Sequence, residues 1–173
     1  PTGSTCNLNC DYCFYLKKES LYPGSRFRMS DEVLEAYLSQ LIAAHRTDTV
    51  AVAWQGGEPT LMGLDFFRRA VALQETHRRP GMRFENTLQT NGTLLTPERA
   101  RELRAAGVDI VQMSVDSGEP EEHDRFRGLP GVLADALLAV SGGRQRFRHR
   151  RRDHQRDHVA ETLGAAFRQP REA

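Results

Sequence analysis

The sequence is poor in cysteine and tryptophan, with three and one respectively among its 173 residues, and it has no long hydrophobic run. No stretch approaches the ~20 apolar residues of a membrane-spanning helix, so we expect no membrane partner. The chain opens on polar residues and shows no signal-peptide pattern. Because unpaired cysteines stay reduced in the cytosol, we expect a cytoplasmic protein.

The three cysteines are Cys6, Cys10 and Cys13, in the spacing Cys-x3-Cys-x2-Cys. Three cysteines cannot all pair within one chain, and such close neighbours are poorly placed for disulfides. Thiolates instead suit iron–sulfur clusters and zinc, although no histidine follows until His45. The spacing therefore leaves open a cluster, a zinc site or unligated thiols. A [4Fe–4S] cluster held by three thiolates would have one iron without a protein ligand.

Charge is distributed unevenly along the chain. Residues 1–130 carry 15 basic and 18 acidic side chains, whereas residues 131–173 carry 9 and 5. The second segment is rich in arginine, lacks apolar periodicity and repels itself. We therefore predict a folded domain over 1–130 and a disordered or weakly helical basic tail over 131–173. The sequence of this tail resembles the product of a shifted reading frame. The arginine run has no interleaved aromatic beyond Phe147, so we expect no nucleic-acid partner.

The hydrophobic pattern predicts helices that alternate with strands. Ser30 is a good helix N-cap, and Thr96 precedes a proline at the first position of another helix. The predicted helices cover residues 30–45, 64–77, 96–106 and 132–140, and the predicted strands cover 50–54, 84–90 and 109–114. This order indicates an α/β fold with a parallel sheet. Polar residues follow each strand, which predicts a ligand site at the carboxyl edge of the sheet.

Several motifs resemble a known family. The cysteine motif has an aromatic before its last cysteine, and Gly-Gly-Glu-Pro follows the first strand, as in radical S-adenosylmethionine (SAM) enzymes. The strings Trp-Gln-Gly-Gly-Glu-Pro-Thr-Leu at 54–61 and Leu-Gln-Thr-Asn-Gly-Thr at 88–93 are similar to those of anaerobic sulfatase-maturating enzymes. Further matching strings lie at 2–16, 28–35 and 63–67, so the resemblance covers about residues 1–127.

The resemblance implies a fold and a reaction. The fold would be a partial (β/α)6 barrel, here incomplete with about four βα units. In that family S-adenosylmethionine (AdoMet) chelates the open iron of a [4Fe–4S] cluster and is cleaved reductively to methionine and a 5′-deoxyadenosyl radical. The radical takes a hydrogen atom from a cysteine or serine of a sulfatase, and further steps give formylglycine. A flavodoxin or ferredoxin would supply the electron.

The resemblance also implies roles for particular residues. The residues that match cluster ligands are Cys6, Cys10 and Cys13. Those that match AdoMet contacts are Tyr12, Gly57, Ser114 and Arg127. Glycine at a ligand contact lets the backbone approach closely, and arginine suits a carboxylate through its planar fork of donors. Other residues expected to line the pocket are Gln55, Glu58, Gln89 and Asn91.

The sequence departs from the family in two respects. The segment from Ser114 to the pair His123-Asp124 is one residue longer than the family's pattern. The family's second half, with its auxiliary clusters and catalytic aspartate, has no counterpart here, so no catalytic residue is assigned. Two alternatives to a sulfatase maturase therefore stand: a truncated non-catalytic remnant, and a peptide-modifying relative with another substrate.

Overall fold

The computed structural model describes residues 2–13, 15 and 22–134. Four α-helices and three strands alternate in the described part, with a short 3-10 turn at Pro59–Met62. The elements are α1 (Asp31–Ala44), β1 (Thr49–Trp54), α2 (Leu64–His77), β2 (Arg83–Thr90), α3 (Pro97–Ala105), β3 (Ile110–Met113) and α4 (Pro120–Arg127). Among these residues no helix has the length and apolar character needed to cross a membrane.

The three strands form one parallel sheet in the order β1-β2-β3. Trp54 at the end of β1 pairs with Leu88, and Thr90 at the end of β2 pairs with Met113. The predicted α/β architecture is therefore confirmed. Because the strands run the same way, the segments that follow them emerge at one edge of the sheet.

The helices begin where the sequence predicts. The hydroxyl of Ser30 accepts a hydrogen bond from the backbone N–H of Val33 at 3.3 Å. The hydroxyl of Thr96 likewise accepts from Arg99 N–H at 3.1 Å, with a proline at the start of α3. These caps satisfy N–H groups that the first helical turn leaves without partners.

The main hydrophobic core lies between the sheet and helices α1 to α3. The Trp54 indole packs edge-on against Phe66 and Phe67, with ring centroids 5.4 and 6.3 Å away. These three aromatics are each about 1% exposed. They serve as core residues, and together they fix α2 against the end of β1.

A polar network is buried within this core. Asn86 Oδ1 accepts hydrogen bonds from Trp54 Nε1 at 3.0 Å and from Gln74 Nε2 at 2.7 Å. Asn86 Nδ2 returns a bond to Gln74 Oε1 at 3.0 Å. The network joins β1, α2 and β2. Buried polar groups that are fully bonded in this way favour one arrangement of the elements over others.

Two features differ from the sequence prediction. Helix α4 at Pro120–Arg127 was not predicted, because its buried side chains are the polar His123 and Arg127. Three strands precede helices in the described residues, where about four βα units were predicted. In place of a fourth unit, residues 2–5 precede α1 and form backbone hydrogen bonds with residues 55–58, but they do not form a strand. The predicted helix over 132–140 and the basic tail fall mostly outside the described residues.

We expect Asn86→Leu to lower the free energy of unfolding by at least about 2 kcal/mol, because it leaves two buried donors without an acceptor. Urea unfolding followed by the fluorescence of Trp54 measures this. Glu85→Gln, on the exposed face of the same strand, is the control and should stay within about 0.5 kcal/mol of the parent. Equal stability of Asn86→Leu and the control would contradict the prediction.

Candidate functional site

The cysteine-bearing segment is bound to the end of β1 by backbone hydrogen bonds. Thr2 N–H donates to Gln55 O at 2.9 Å, and Gly57 N–H donates to Gly3 O at 2.8 Å. Glu58 N–H donates to Thr5 O at 2.8 Å. The loop that carries the three thiols is therefore fixed at the carboxyl edge of the sheet, where the sequence predicts the ligand site.

The Gly-Gly turn is required by this contact. A Cβ atom at Gly57 would lie 2.1 Å from Thr5 O and 2.5 Å from Ser4 O. A Cβ at Gly56 would lie 2.1 Å from Gly3 O, and the φ angle there is +153°. All three distances are far below van der Waals contact. Glycine is needed here because the cysteine loop itself lies against the turn, a reason that adds to the predicted approach of Gly57 to a ligand.

Glu58 joins this turn to the end of β2. Its side chain is 2% exposed. Oε1 accepts hydrogen bonds from Thr60 N–H at 3.0 Å, from the Thr60 hydroxyl at 2.6 Å and from the Thr90 hydroxyl at 2.7 Å. Oε2 accepts from the N–H of Asn91 at 2.8 Å. The four donors stabilise a buried carboxylate that would otherwise be costly to desolvate.

The three thiols differ in exposure. Cys6 is exposed, Cys13 is intermediate, and Cys10 is buried against Leu8 and Val132. A tight turn brings Cys13 N–H to Cys10 O at 2.9 Å. Although Cys6 as a residue is exposed, partial desolvation of its thiol by the surrounding atoms raises its pKa, and a hydrogen bond from Leu8 N–H opposes this shift. Burial likewise raises the pKa of the Cys10 thiol, and the Arg127 guanidinium opposes that shift.

The donor set fits the iron–sulfur cluster that the resemblance implies. The three thiols stand within eight residues of one another on a single short loop, whose turn is closed by the Cys13 N–H to Cys10 O bond. Thiolates are the usual ligands of such clusters. No group of three or more Cys, His, Asp or Glu side chains in the described residues is already arranged to hold a metal ion. The three thiols are thus the right donors in number and kind, and their present placement does not by itself form a metal site.

A second group of side chains lies beside the cysteine loop, in the segment after β3 and on α4. Asp116 Oδ2 accepts a hydrogen bond from the Tyr12 hydroxyl at 2.7 Å. The same oxygen forms an ion pair with Arg127 Nε at 2.6 Å. Arg127 also donates from Nη2 to Ser114 O at 3.0 Å, and its guanidinium lies 5.8 Å from the centre of the Tyr12 ring. Three of the four predicted AdoMet contacts are thus brought together.

The other predicted pocket residues lie at the same edge of the sheet. Gln89 Nε2 donates to the Ser114 hydroxyl at 3.3 Å, and Asn91 Nδ2 lies 3.9 Å from Cys6 Sγ. The extra residue between Ser114 and His123 does not separate Arg127 from Ser114. Gln55 contacts the cysteine segment through its backbone carbonyl, which accepts from Thr2.

Sequence reasoning missed two residues of this site, Asp116 and His123. His123 is fully buried, and its Nδ1 accepts a hydrogen bond from Asp116 N–H at 3.1 Å. The imidazole is therefore neutral, with its proton on Nε2. Burial and the charge of Arg127 lower the pKa of His123, while Asp116 and Asp124 oppose the shift. The polar run after β3 marked the Asp116 region, but no local pattern marked the contact itself.

The chain is similar in sequence to proteins of one known superfamily. A family model described as "Radical SAM superfamily" matches residues 1–166. That match extends beyond the boundary at residue 130, which stays a prediction. A serine-type anaerobic sulfatase-maturating enzyme of Bacteroides thetaiotaomicron is 40% identical over 128 residues, covering 73% of this chain and 30% of that protein. A cysteine-type enzyme of Clostridium perfringens is 38% identical over 131 residues, covering 73% and 34%.

A relative of a different name and a solved structure are also similar to this chain. An AdoMet-dependent heme synthase of Methanosarcina barkeri is 34% identical over 135 residues, covering 78% of this chain and 35% of that protein. A structure described as native anSMEcpe with bound AdoMet and Kp18Cys peptide has a TM-score of 0.68 and 36% identity, covering 86% of this chain and 41% of that chain. The chain thus spans about a third of the length of the curated relatives.

We expect Gly57→Ala to impair iron uptake by the cysteine loop, because the added methyl group would push Thr5 and the adjoining Cys6 away from β1. The iron content after anaerobic reconstitution measures this, and circular dichroism checks that the helices persist. Gly81→Ala is the control, because no atom lies within 4 Å of an added Cβ there, although its φ of +82° is itself unfavourable for alanine. Equal iron content in the two variants would argue against the role of Gly57.

We expect acidification to destabilise the fold through His123. Its folded pKa lies below the ordinary value of about 6.5, so the unfolded chain binds the proton more readily as the pH falls below that value. His123→Asn keeps an acceptor for Asp116 N–H and does not titrate. Urea unfolding at about pH 7.5 and about pH 5.5 should show a larger loss of stability for the parent. Equal losses in the two chains would remove His123 as the cause.

Proposed function

The chain belongs to the radical SAM superfamily, a family of enzymes that use a [4Fe–4S] cluster and AdoMet, and we propose that it acts in the oxidation of a sulfatase cysteine or serine to formylglycine. The observation that supports this most strongly is the three-thiol loop held at the carboxyl edge of the sheet beside Tyr12 and Arg127. A serine-type sulfatase-maturating enzyme that is 40% identical over 128 residues supports the same assignment.

Each site residue has a task in this proposal. Cys6, Cys10 and Cys13 would hold the cluster, which when bound supplies the electron that cleaves AdoMet. Tyr12 and Arg127 would hold AdoMet on the α4 side of the loop, and Gly57 and Ser114 would do so at the ends of β1 and β3.

The charge of Arg127 suits the carboxylate of AdoMet. Its guanidinium is 6% exposed, and a buried cation attracts an anion more strongly than an exposed one. Asp116 already pairs with Arg127 and accepts from Tyr12, so it would keep both side chains oriented before AdoMet arrives. In this role Asp116 is a positioning residue, because it acts on AdoMet through its two partners.

The choice of a sulfatase as substrate rests on the relatives. Serine-type and cysteine-type enzymes match at 40% and 38% identity, so the matched segment does not separate an oxidised serine from a cysteine. The heme synthase is 34% identical over 135 residues, so likeness to this chain is shared by relatives named for two different reactions that include AdoMet chemistry. The proposal also includes a flavodoxin or ferredoxin as reductant, a cytoplasmic location, and no membrane or nucleic-acid partner.

We expect the anaerobically reconstituted chain to form 5′-deoxyadenosine from AdoMet in the presence of dithionite, as measured by liquid chromatography and mass spectrometry. Cys10→Ala should abolish the product because it removes a cluster ligand, whereas Glu85→Gln should retain it. Absence of 5′-deoxyadenosine from a parent chain that has taken up its cluster would leave the truncated remnant as the better interpretation.

Peptide substrates test the second part of the proposal in the same reaction. Matched sulfatase peptides with cysteine or serine at the target position would be examined for formylglycine by mass spectrometry. Because the family's catalytic aspartate and auxiliary clusters have no counterpart in this sequence, we expect AdoMet cleavage without formylglycine from this chain alone. Formylglycine in the product would contradict that expectation.

A further inference from the structure

The sulfur of Cys6 receives hydrogen-bond donors from two parts of the chain. Leu8 N–H, from the cysteine loop itself, lies 3.4 Å from Cys6 Sγ. Asn91 Nδ2, from the turn after β2, lies 3.9 Å from the same atom. The second donor comes from 85 residues away along the chain. It is therefore a product of the fold and not of the local loop conformation.

The orientation of the Asn91 amide follows from its other hydrogen bonds. Its Oδ1 accepts from Thr93 N–H at 3.0 Å and from the Thr93 hydroxyl at 2.7 Å. The amide nitrogen of Asn91 cannot accept a hydrogen bond from the backbone N–H of Thr93, so the amide oxygen must face Thr93. The amide nitrogen consequently lies on the opposite side, toward the cysteine loop. There it donates to Asn7 Oδ1 at 3.0 Å and directs its other hydrogen toward Cys6.

The backbone of Asn91 is held as firmly as its side chain. Its N–H donates to the buried carboxylate of Glu58 at 2.8 Å, and the residue is 5% exposed. Rotation of the amide would break the bonds to Thr93 and Asn7 in a site with little access to water. An unsatisfied buried donor or acceptor costs about 1–3 kcal/mol, so the donor stays directed at the sulfur.

We propose that Asn91 sets the reduction potential of the cluster held by Cys6, by donating a hydrogen bond to that ligand sulfur. This inference rests on the proposed function, since it requires a cluster on the cysteine loop. Hydrogen bonds to the sulfurs are among the factors that set the potentials of iron–sulfur clusters. A donor stabilises the reduced cluster more than the oxidised one, because reduction adds negative charge next to the N–H. Asn91 thus makes the cluster easier to reduce by its electron donor.

A purely structural role for Asn91 makes a different prediction. Asparagine before glycine is common in turns, and Asn91 also bonds to Asn7 and Thr93. A residue that only shapes the turn would change stability or cluster loading, but it would leave the potential of a loaded cluster unchanged. The midpoint potential therefore separates the two roles, and activity alone does not.

The test is a redox titration of the reconstituted 173-residue chain, followed by the electron paramagnetic resonance signal of the reduced cluster without AdoMet. Asn91→Ala removes the donor. Asn91→Asp keeps the acceptor for Thr93 but replaces the donating nitrogen with oxygen. Both variants should lower the midpoint potential. For Asn91→Ala, the loss of a hydrogen bond of about 1 kcal/mol should lower the equilibrium constant for reduction about fivefold. At 59 mV per tenfold this is about 40 mV. The charge of Asp should make its shift larger.

Two further variants complete the test. Thr93→Val keeps Asn91 but removes one of the bonds that orient its amide, so it should give a smaller shift in the same direction. Glu85→Gln should leave the midpoint unchanged. Unchanged midpoints in both Asn91 variants would overturn the inference. A second result would also overturn it: Asn91 variants that fold but take up no cluster, together with a Thr93→Val variant that keeps the parent's midpoint potential. Asn91 would then be needed for cluster assembly and not for setting the potential. A parent chain that takes up no cluster would overturn the proposed function as well.

Discussion

The site depends on one buried carboxylate. Glu58 accepts hydrogen bonds from Thr60, Thr90 and Asn91, and its own N–H donates to Thr5. These bonds connect three segments that are far apart in sequence: the cysteine loop, the turn after β1 and the end of β2. An acceptor-only group with two oxygens suits this position because the surrounding groups on its side chain are all donors. The geometry of the thiols and of Asn91 follows from this connection.

Much of the fold could be predicted because its signals are local. Caps such as Ser30 and Thr96 and the apolar faces of α1 to α3 depend on residues a few positions apart. Helix α4 could not be predicted in this way, since it buries His123 and Arg127 instead of an apolar stripe. Its place in the structure is set by contacts with Asp116 and Ser114, which hydrophobic periodicity does not reveal.

The candidate site likewise contains residues that local motifs reveal and a residue that only a long-range contact reveals. The cysteines, Tyr12 and Gly57 belong to short motifs whose spacing and resemblance identified them. Asp116 acquires its place through a hydrogen bond with Tyr12, a residue 104 positions away, so no local pattern could assign it. At Gly57 the structure gives a reason for glycine that differs from the one expected from the sequence. The sequence suggested close approach to a ligand, whereas the structure shows close approach to the backbone of Ser4 and Thr5.

The packing around Cys10 ties the cysteine loop to residues beyond α4. Val132 is fully buried against Leu8 and Cys10. Asp124 holds the backbone on both sides of Val132, because its carboxylate accepts from Gly131 N–H at 2.5 Å and from Leu133 N–H at 3.0 Å. A chain shortened to residue 130 would lose this cover, and its second thiol would face solvent and oxidants. Residues 131–133 thus protect Cys10 chemically, whatever the composition of the segment that follows them.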